Sequence, residues 1–367
     1  MKKVLAALIG LTILIFAVIT CSVSASNRNG ATPDSATNLE ATPLQAIFTE
    51  TDTQRPTLPP KTQSPSSSDA SQTKETELTN QTQPSSESAE GVADLYAIEN
   101  NYHIDEYLFD KHPSVDYGTI IEEYEYDSDA AGDKKYCNIL LPPGYSADND
   151  YPVMYVIHGW DGSHTDQIEP DSYLQLLYGN MLKENLTIPM IIVNVDMYTD
   201  KLADKDSKTD EELRDIYDKV WDDIIYDLMP EIENNFFVKP GKDNTALAGV
   251  SHGGTEALMT YFQHPEKFGY VASYAADPGV IPTNFYEEEY LNRAIFDKFP
   301  IPETEPYYLY LAVGTDDEYG IDVTVAYHEE LDKYGMKNQT DVVEGYEHDY
   351  FFWRLCFYNF LNKIFTV

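Results

Sequence analysis

Gly249-Val250-Ser251-His252-Gly253-Gly254 fits the spacing Gly-x-Ser-x-Gly, with Ser251 at its centre. Just before it, Thr245-Ala246-Leu247-Ala248 is a short apolar run suited to a buried strand. Just after it, 255–262 reads as a helix. A strand that turns abruptly into a helix strains the turn residue and lifts its side chain clear of the sheet. Glycines flank the serine because a Cβ there would strike the neighbouring helix or strand. Such a turn serves nucleophilic attack, by a hydroxyl set beside helix N-terminal amides that stabilise negative charge. A serine that only caps the helix has the same local pattern. The partners supplied by the rest of the chain decide between the two.

Around this turn, strands and helices alternate. Strands are predicted over 117–126, 135–141, 153–157, 190–195, 270–275, 307–313 and 341–343. Those at 153–157 and 190–195 are apolar without a break, as expected of strands covered on both faces. Helices are predicted over 174–183, 210–235, 290–299, 322–334 and 350–364. Within 210–235, Leu213, Ile216, Tyr217, Val220, Trp221, Ile224, Leu228 and Ile232 form a helical stripe, with Pro230 a kink point. The alternation implies an α/β fold, a mostly parallel central sheet with helices on both faces. Ligands then bind at the carboxyl ends of the strands.

A serine hydroxyl needs a base to take its proton, and an imidazole base needs an acid to fix its tautomer. Of eight histidines, His348 lies between the last strand and the last helix, where the base belongs in the order Ser…Asp…His. His103 and His112 precede the sheet, His264 and His328 fall on helices, and His164 lies in a polar loop. For the acid, Asp316 and Asp317 follow the penultimate strand and either could face the imidazole; Asp277 lies one strand too early. An oxyanion needs two amide donors. The N–H of His252 is one candidate, and the N–H of Trp160, in the turn His158-Gly159-Trp160-Asp161-Gly162, is the other. His158 reads as support for that turn. The chemistry requires no cofactor or metal. Asp196, Asp200, Asp204, Asp206 and Asp210 fail the calcium-loop pattern, since Lys208 and Thr209 stand where a ligand and a glycine are needed.

The chain has 367 residues and opens Met1-Lys2-Lys3 before an apolar run over 4–19, the pattern of an export signal. Two endings fit within 1–25: a lipobox-like Val18-Ile19-Thr20-Cys21, or cleavage after Ala25. The expected location is extracellular, either released or tethered to a bacterial surface through lipid on Cys21. Residues 26–93 are rich in Ser, Thr, Pro and Gln and hold none of the 29 tyrosines or three tryptophans, so they read as a disordered linker. That leaves 94–367 as one folded domain. The net charge is −39; the signal contributes +2 and the linker −5, so the domain holds −36. Such a surface excludes nucleic acid and favours a neutral substrate over a polyanion. Cys137 and Cys356 could form one disulfide or remain two buried thiols.

The domain resembles the esterase-D-like α/β-hydrolases, the group that holds the feruloyl and acetyl-xylan esterases of carbohydrate esterase family 1 and the related enterochelin esterases. The resemblance covers about 135–365 and rests on Leu141-Pro142-Pro143-Gly144-Tyr145, His158-Gly159, the run 228–233, Ala248 to Gly254, Gly314-Thr315-Asp316-Asp317 and His348-Asp349. It implies the α/β-hydrolase fold, Ser251 as nucleophile, His348 as base and Asp317, at the fourth position of its turn, as acid. Trp160-Asp161-Gly162 and His252 depart from the group, where small residues and methionine are frequent. The implied activity is a serine carboxylic-ester hydrolase acting on feruloyl or acetyl esters of polysaccharide. The alternatives are an acyltransferase on the same triad and a non-catalytic glycan-binding protein.

Overall fold

The computed structural model describes residues 94–201 and 205–366. The expected signal with Cys21, the linker 26–93 and Asp204 lie outside the described residues. Eight strands form one sheet: β1 (Thr119–Ser128), β2 (Asp133–Leu141), β3 (Val153–Ile157), β4 (Ile191–Val195), β5 (Thr245–Val250), β6 (Tyr270–Tyr274), β7 (Tyr308–Gly314) and β8 (Gln339–Val343). Their order across the sheet is β1-β2-β4-β3-β5-β6-β7-β8. From β4 to β8 every neighbouring pair is parallel, because a helix or long crossover separates the strands. β1 and β2 join through a short turn and run antiparallel, and β2 meets β4 antiparallel. The mostly parallel sheet of the α/β-hydrolase fold is thus the one that formed.

Side chains alternate between two cores. Val153, Tyr155, Ile157, Leu247 and Leu309 point to one face; Met154, Val156, Ala246, Ala248 and Tyr308 point to the other. The first face is covered by α2 (Asp210–Tyr217), α3 (Val220–Asp222), α4 (Met229–Asn235), α5 (His252–Gln263) and α6 (Ile321–Lys333). α1 (Tyr173–Lys183) and α7 (Tyr350–Leu361) cover the second. On α7, Phe352, Phe357, Phe360 and Leu361 are fully buried, each contributing roughly 1.5–3 kcal/mol. Cys137 packs in the first core and Cys356 in the second, and both thiols are free. Among the described residues no helix is long and apolar enough to cross a membrane.

Two predicted helices take another form. The helix over 210–235 breaks after Tyr217, and Asp223–Leu228 winds as a π-helix whose last turn bonds Met229 N–H to the Ile224 carbonyl. Pro230 has no N–H and its ring would crowd the carbonyl four residues back, so the wider turn absorbs the mismatch. The stripe still faces the core, with Leu213, Ile216, Ile224 and Ile232 buried. The segment 290–299 contains no helix. Its Ile295 and Phe296 N–H groups bond instead to the carbonyls of Gly279 and Val280 (2.9 and 3.0 Å), so tertiary pairing overrides local propensity.

Candidate active site

Ser251 directly follows β5 with φ 55° and ψ −129°, a conformation that L-residues rarely adopt. Its N–H bonds to the Tyr274 carbonyl of β6 (2.8 Å), and α5 begins at the next residue. The glycines are sterically required. A Cβ on Gly249 would lie 1.9 Å from the Gly253 carbonyl oxygen, and one on Gly253 would lie 2.2 Å from that of His158. Backbone therefore packs directly on backbone, and Ser251 stands at the carboxyl edge of the sheet with only 8% of its surface exposed.

His348 Nε2 lies 2.8 Å from Ser251 Oγ, and His348 Nδ1 lies 2.8 Å from Asp317 Oδ2. The sequence left Asp316 and Asp317 open on residues alone. The structure turns Asp317 inward, 1% exposed, while Asp316 faces solvent. Asp317 Oδ1 accepts from the N–H groups of Tyr319 and Gly320 (3.0 and 2.8 Å). The N–H groups just ahead of α6 thus hold one carboxylate oxygen while the other faces the imidazole. The histidine loop is knitted to the same turn: Asp316 N–H donates to the Tyr346 carbonyl and Gly345 N–H to Thr315 Oγ1. Asp349 then caps α7, accepting from the Phe351 and Phe352 N–H groups and fixing the chain directly after His348. The His348 ring stands between Tyr319 and Trp353, edge-on to each at 5.5 and 5.4 Å.

The turn after β3 closes the other side of Ser251. A Cβ on Gly159 would come within 3.8 Å of Ser251 Oγ, so this turn and the hydroxyl are neighbours. His158 is fully buried; its Nε2 accepts from the Met197 N–H (2.9 Å) and its Nδ1–H therefore donates to the Gly159 carbonyl (2.6 Å). The ring locks the turn. Trp160, whose carbonyl accepts from the Tyr217 hydroxyl (2.6 Å), lays its indole edge-on against His252 (4.7 Å) and Tyr217 (5.2 Å). The His252 N–H belongs to the first turn of α5. The loop after β4 backs this arrangement: Asp196 pairs with His164 (2.9 Å) and lies 3.6 Å from His158. Burial would raise the Asp196 pKa, but its contacts with His158 and His164 and the nearby Lys135 charge hold it well below the carboxylate range.

The His252 side chain was not anticipated. It is fully buried between Glu256 (Nε2 to Oε1, 3.3 Å) and Asp277 (Nδ1 to Oδ2, 3.4 Å). Neither nitrogen has a well-aligned hydrogen-bond partner. Burial and the Arg214 charge would lower its pKa; Asp277 and Glu256 outweigh them and raise it. Burial likewise raises the pKa of Glu256. Also unforeseen were Tyr286 and Tyr290 of the β6–β7 connection. The Tyr286 hydroxyl donates to the Tyr319 carbonyl, and the Tyr290 ring lies 6.1 Å from that of Trp160. Neither carries a linear signal, because an irregular loop delivers both.

Among known proteins, the model of the Esterase family matches residues 128–356, more than half of the chain. A curated relative, an endo-1,4-beta-xylanase/feruloyl esterase of Xylanibacter ruminicola, is 28% identical over 255 residues, 67% of this chain. The chain spans about a third of that relative's length (31%). A CE1 ferulic acid esterase of the anaerobic fungus Anaeromyces mucronatus, solved both without substrate and with ferulic acid, superposes with a TM-score of 0.66 at 27% identity. The match covers 73% of this chain and 98% of the fungal one. The feruloyl esterase module from Clostridium thermocellum, solved as an S954A mutant with sinapinate, shares the fold at 15% identity, with a TM-score of 0.52 over 73% of this chain and 94% of its own. With the sheet, the strained serine and the family match together, this chain belongs to the Esterase family and carries the α/β-hydrolase fold.

Proposed function

We propose that this chain is a serine feruloyl esterase that removes hydroxycinnamoyl groups from plant polysaccharide. The observation that carries the reading is the unbroken pair of 2.8 Å contacts from Ser251 through His348 to Asp317. His348 Nε2 takes the Ser251 proton as Oγ attacks the ester carbonyl. The N–H groups of His252 and Trp160 receive the oxyanion. The tetrahedral intermediate collapses, His348 returns the proton to the departing sugar oxygen, and an acyl-enzyme remains on Ser251. Water, activated by the same imidazole, releases the acid. Asp317 keeps the Nδ1 proton in place and stabilises the imidazolium. Feruloyl is preferred over acetyl because the relatives at 27–28% identity are named as feruloyl or ferulic acid esterases. The signal-like 1–25 supports an exported enzyme, tethered through Cys21.

Ser251→Ala is expected to abolish release of ferulate from methyl ferulate and from feruloylated xylan, with the melting temperature retained. An unchanged rate removes the nucleophile assignment. Faster release from acetylated than from feruloylated xylan by the parent enzyme overturns the acyl preference.

A further inference from the structure

The connection between β6 and β7, 275–307, is long, carries no helix or strand, and borders a cavity of about 500 Å³ lined by Glu211, Asn284, Glu289, Tyr290, Asn292 and Arg293. That volume lies within the range of small-ligand sites. Two chains of contacts run from this connection toward Ser251. Tyr290 reaches Trp160, which follows the glycine packed on Ser251. Tyr286 of the same connection reaches Tyr319, whose ring stands on His348.

Side-chain ties preform the concavity. Arg293 is clamped by Asp215 (2.7 Å) and Asp218 (2.9 Å) of the helical layer. Asn292 Nδ2 donates to the carbonyls of Tyr286 and Glu288, which leaves its buried Oδ1 as an acceptor without a donor. We propose that this cavity is the subsite for the neutral oligosaccharide that carries the ester, on the leaving-group side of Ser251.

The chemistry of the lining selects that class. Arg293 pairs with Asp215 and shares Asp218 with Arg214, so Glu211 and Glu289 leave the lining net negative and a polyanion is repelled. Among the described residues no three His, Cys, Asp or Glu side chains gather to hold a metal ion. Two carboxylates and the Asn292 Oδ1 accept from sugar hydroxyls, the Asn284 amide donates and accepts, and the Tyr290 ring offers an apolar face to the C–H side of a pyranose. The sugar ester then lies across Trp160, with its carbonyl at Ser251 and its glycan in the cavity.

The inference rests on the esterase reading, and methyl ferulate separates the two. We compare kcat/KM for a feruloylated arabinoxylo-oligosaccharide with that for methyl ferulate, in the parent and in Tyr290→Ala and Glu289→Ala. The ratio of oligosaccharide to methyl ester is expected to fall about tenfold in Tyr290→Ala and about threefold in Glu289→Ala, through KM. A ratio unchanged in both overturns the subsite while leaving the esterase reading intact. Parent enzyme inactive on both esters overturns the esterase reading instead. Calorimetry on Ser251→Ala protein with unesterified arabinoxylo-oligosaccharide gives a readout free of turnover. Binding that Tyr290→Ala abolishes, with oligogalacturonate inert, supports the proposal; binding that survives Tyr290→Ala places the sugar elsewhere and sinks it.

Discussion

The turn at 249–254 and the connection at 275–307 border the same serine and are held by opposite means. In the turn, glycines let backbone meet backbone at distances that no side chain could occupy. In the connection, scattered backbone bonds and a set of side-chain ties hold an irregular path. Contact between main chains leaves no room for drift, so it suits the atoms that react. Contact through side chains can be adjusted one residue at a time, so it suits the atoms that choose a substrate. On the proposed mechanism, the first region governs whether bonds break and the second whose bonds they are.

Substitutions that disturb one region and spare the other test this division, beginning with the relay that the turn serves. Asp317→Asn keeps the shape but presents the wrong partner to His348 Nδ1, and kcat on methyl ferulate is expected to fall about 1,000- to 10,000-fold. A loss under tenfold would detach the acid from the chemistry. Gly253→Ala drives a methyl group into the carbonyls of His158 and Ile157, both main chain. It is expected to cost about 1–3 kcal/mol of stability by denaturant unfolding, together with most activity. If it melts like the parent, the turn is less rigid than its contacts imply.

The third test concerns what lies beneath the turn. His252 and Glu256 both have raised pKa values, so the folded state holds more protons than the unfolded one. Their contribution is full below their ordinary values, 6.5 and 4.5, and is lost as pH rises through the raised folded ones. In Glu256→Gln the decline of melting temperature with rising pH is expected to flatten by about 2 °C or more. Parallel curves for the two proteins would remove the cluster from the pH response. The smallest effect belongs to the connection. Arg293→Ala loses partly exposed ion pairs and should change stability by no more than about 1 kcal/mol. Its effect on methyl ferulate turnover should be smaller than on the oligosaccharide ester. The reverse order would mean that the connection positions the reacting groups themselves.

The fold was legible because continuous apolar runs such as 153–157 and 190–195 admit few conformations other than buried strands. Ser251 and His348 were legible from their places relative to β5 and β8. The choice between Asp316 and Asp317 was not a property of the residues, since it depends on which one the turn buries; the family resemblance supplied it. The helix over 290–299 was misread because Tyr290, Leu291, Ile295 and Phe296 are spaced for a helix, yet Gly279 and Val280 offer their N–H groups better partners. His252 looked like an amide donor only. Its contact with Glu256 is an i,i+4 pairing on one helix, but that with Asp277 depends on a strand crossover that no local pattern encodes. The two cysteines sit on opposite faces of the sheet, a separation that spacing along the chain does not reveal.

The placement of the tryptophans has a spectroscopic consequence. Trp160 stands edge-on to His252, the residue after Ser251, and Trp353 stands edge-on to His348, which contacts Ser251 Oγ, so two of the three indoles neighbour an imidazole. A protonated imidazole quenches an adjacent indole, and a molecule settling on Trp160 changes that indole's polarity. Intrinsic emission therefore gives this enzyme two built-in optical gauges. With one indole replaced at a time, protonation and occupancy could be followed without any label.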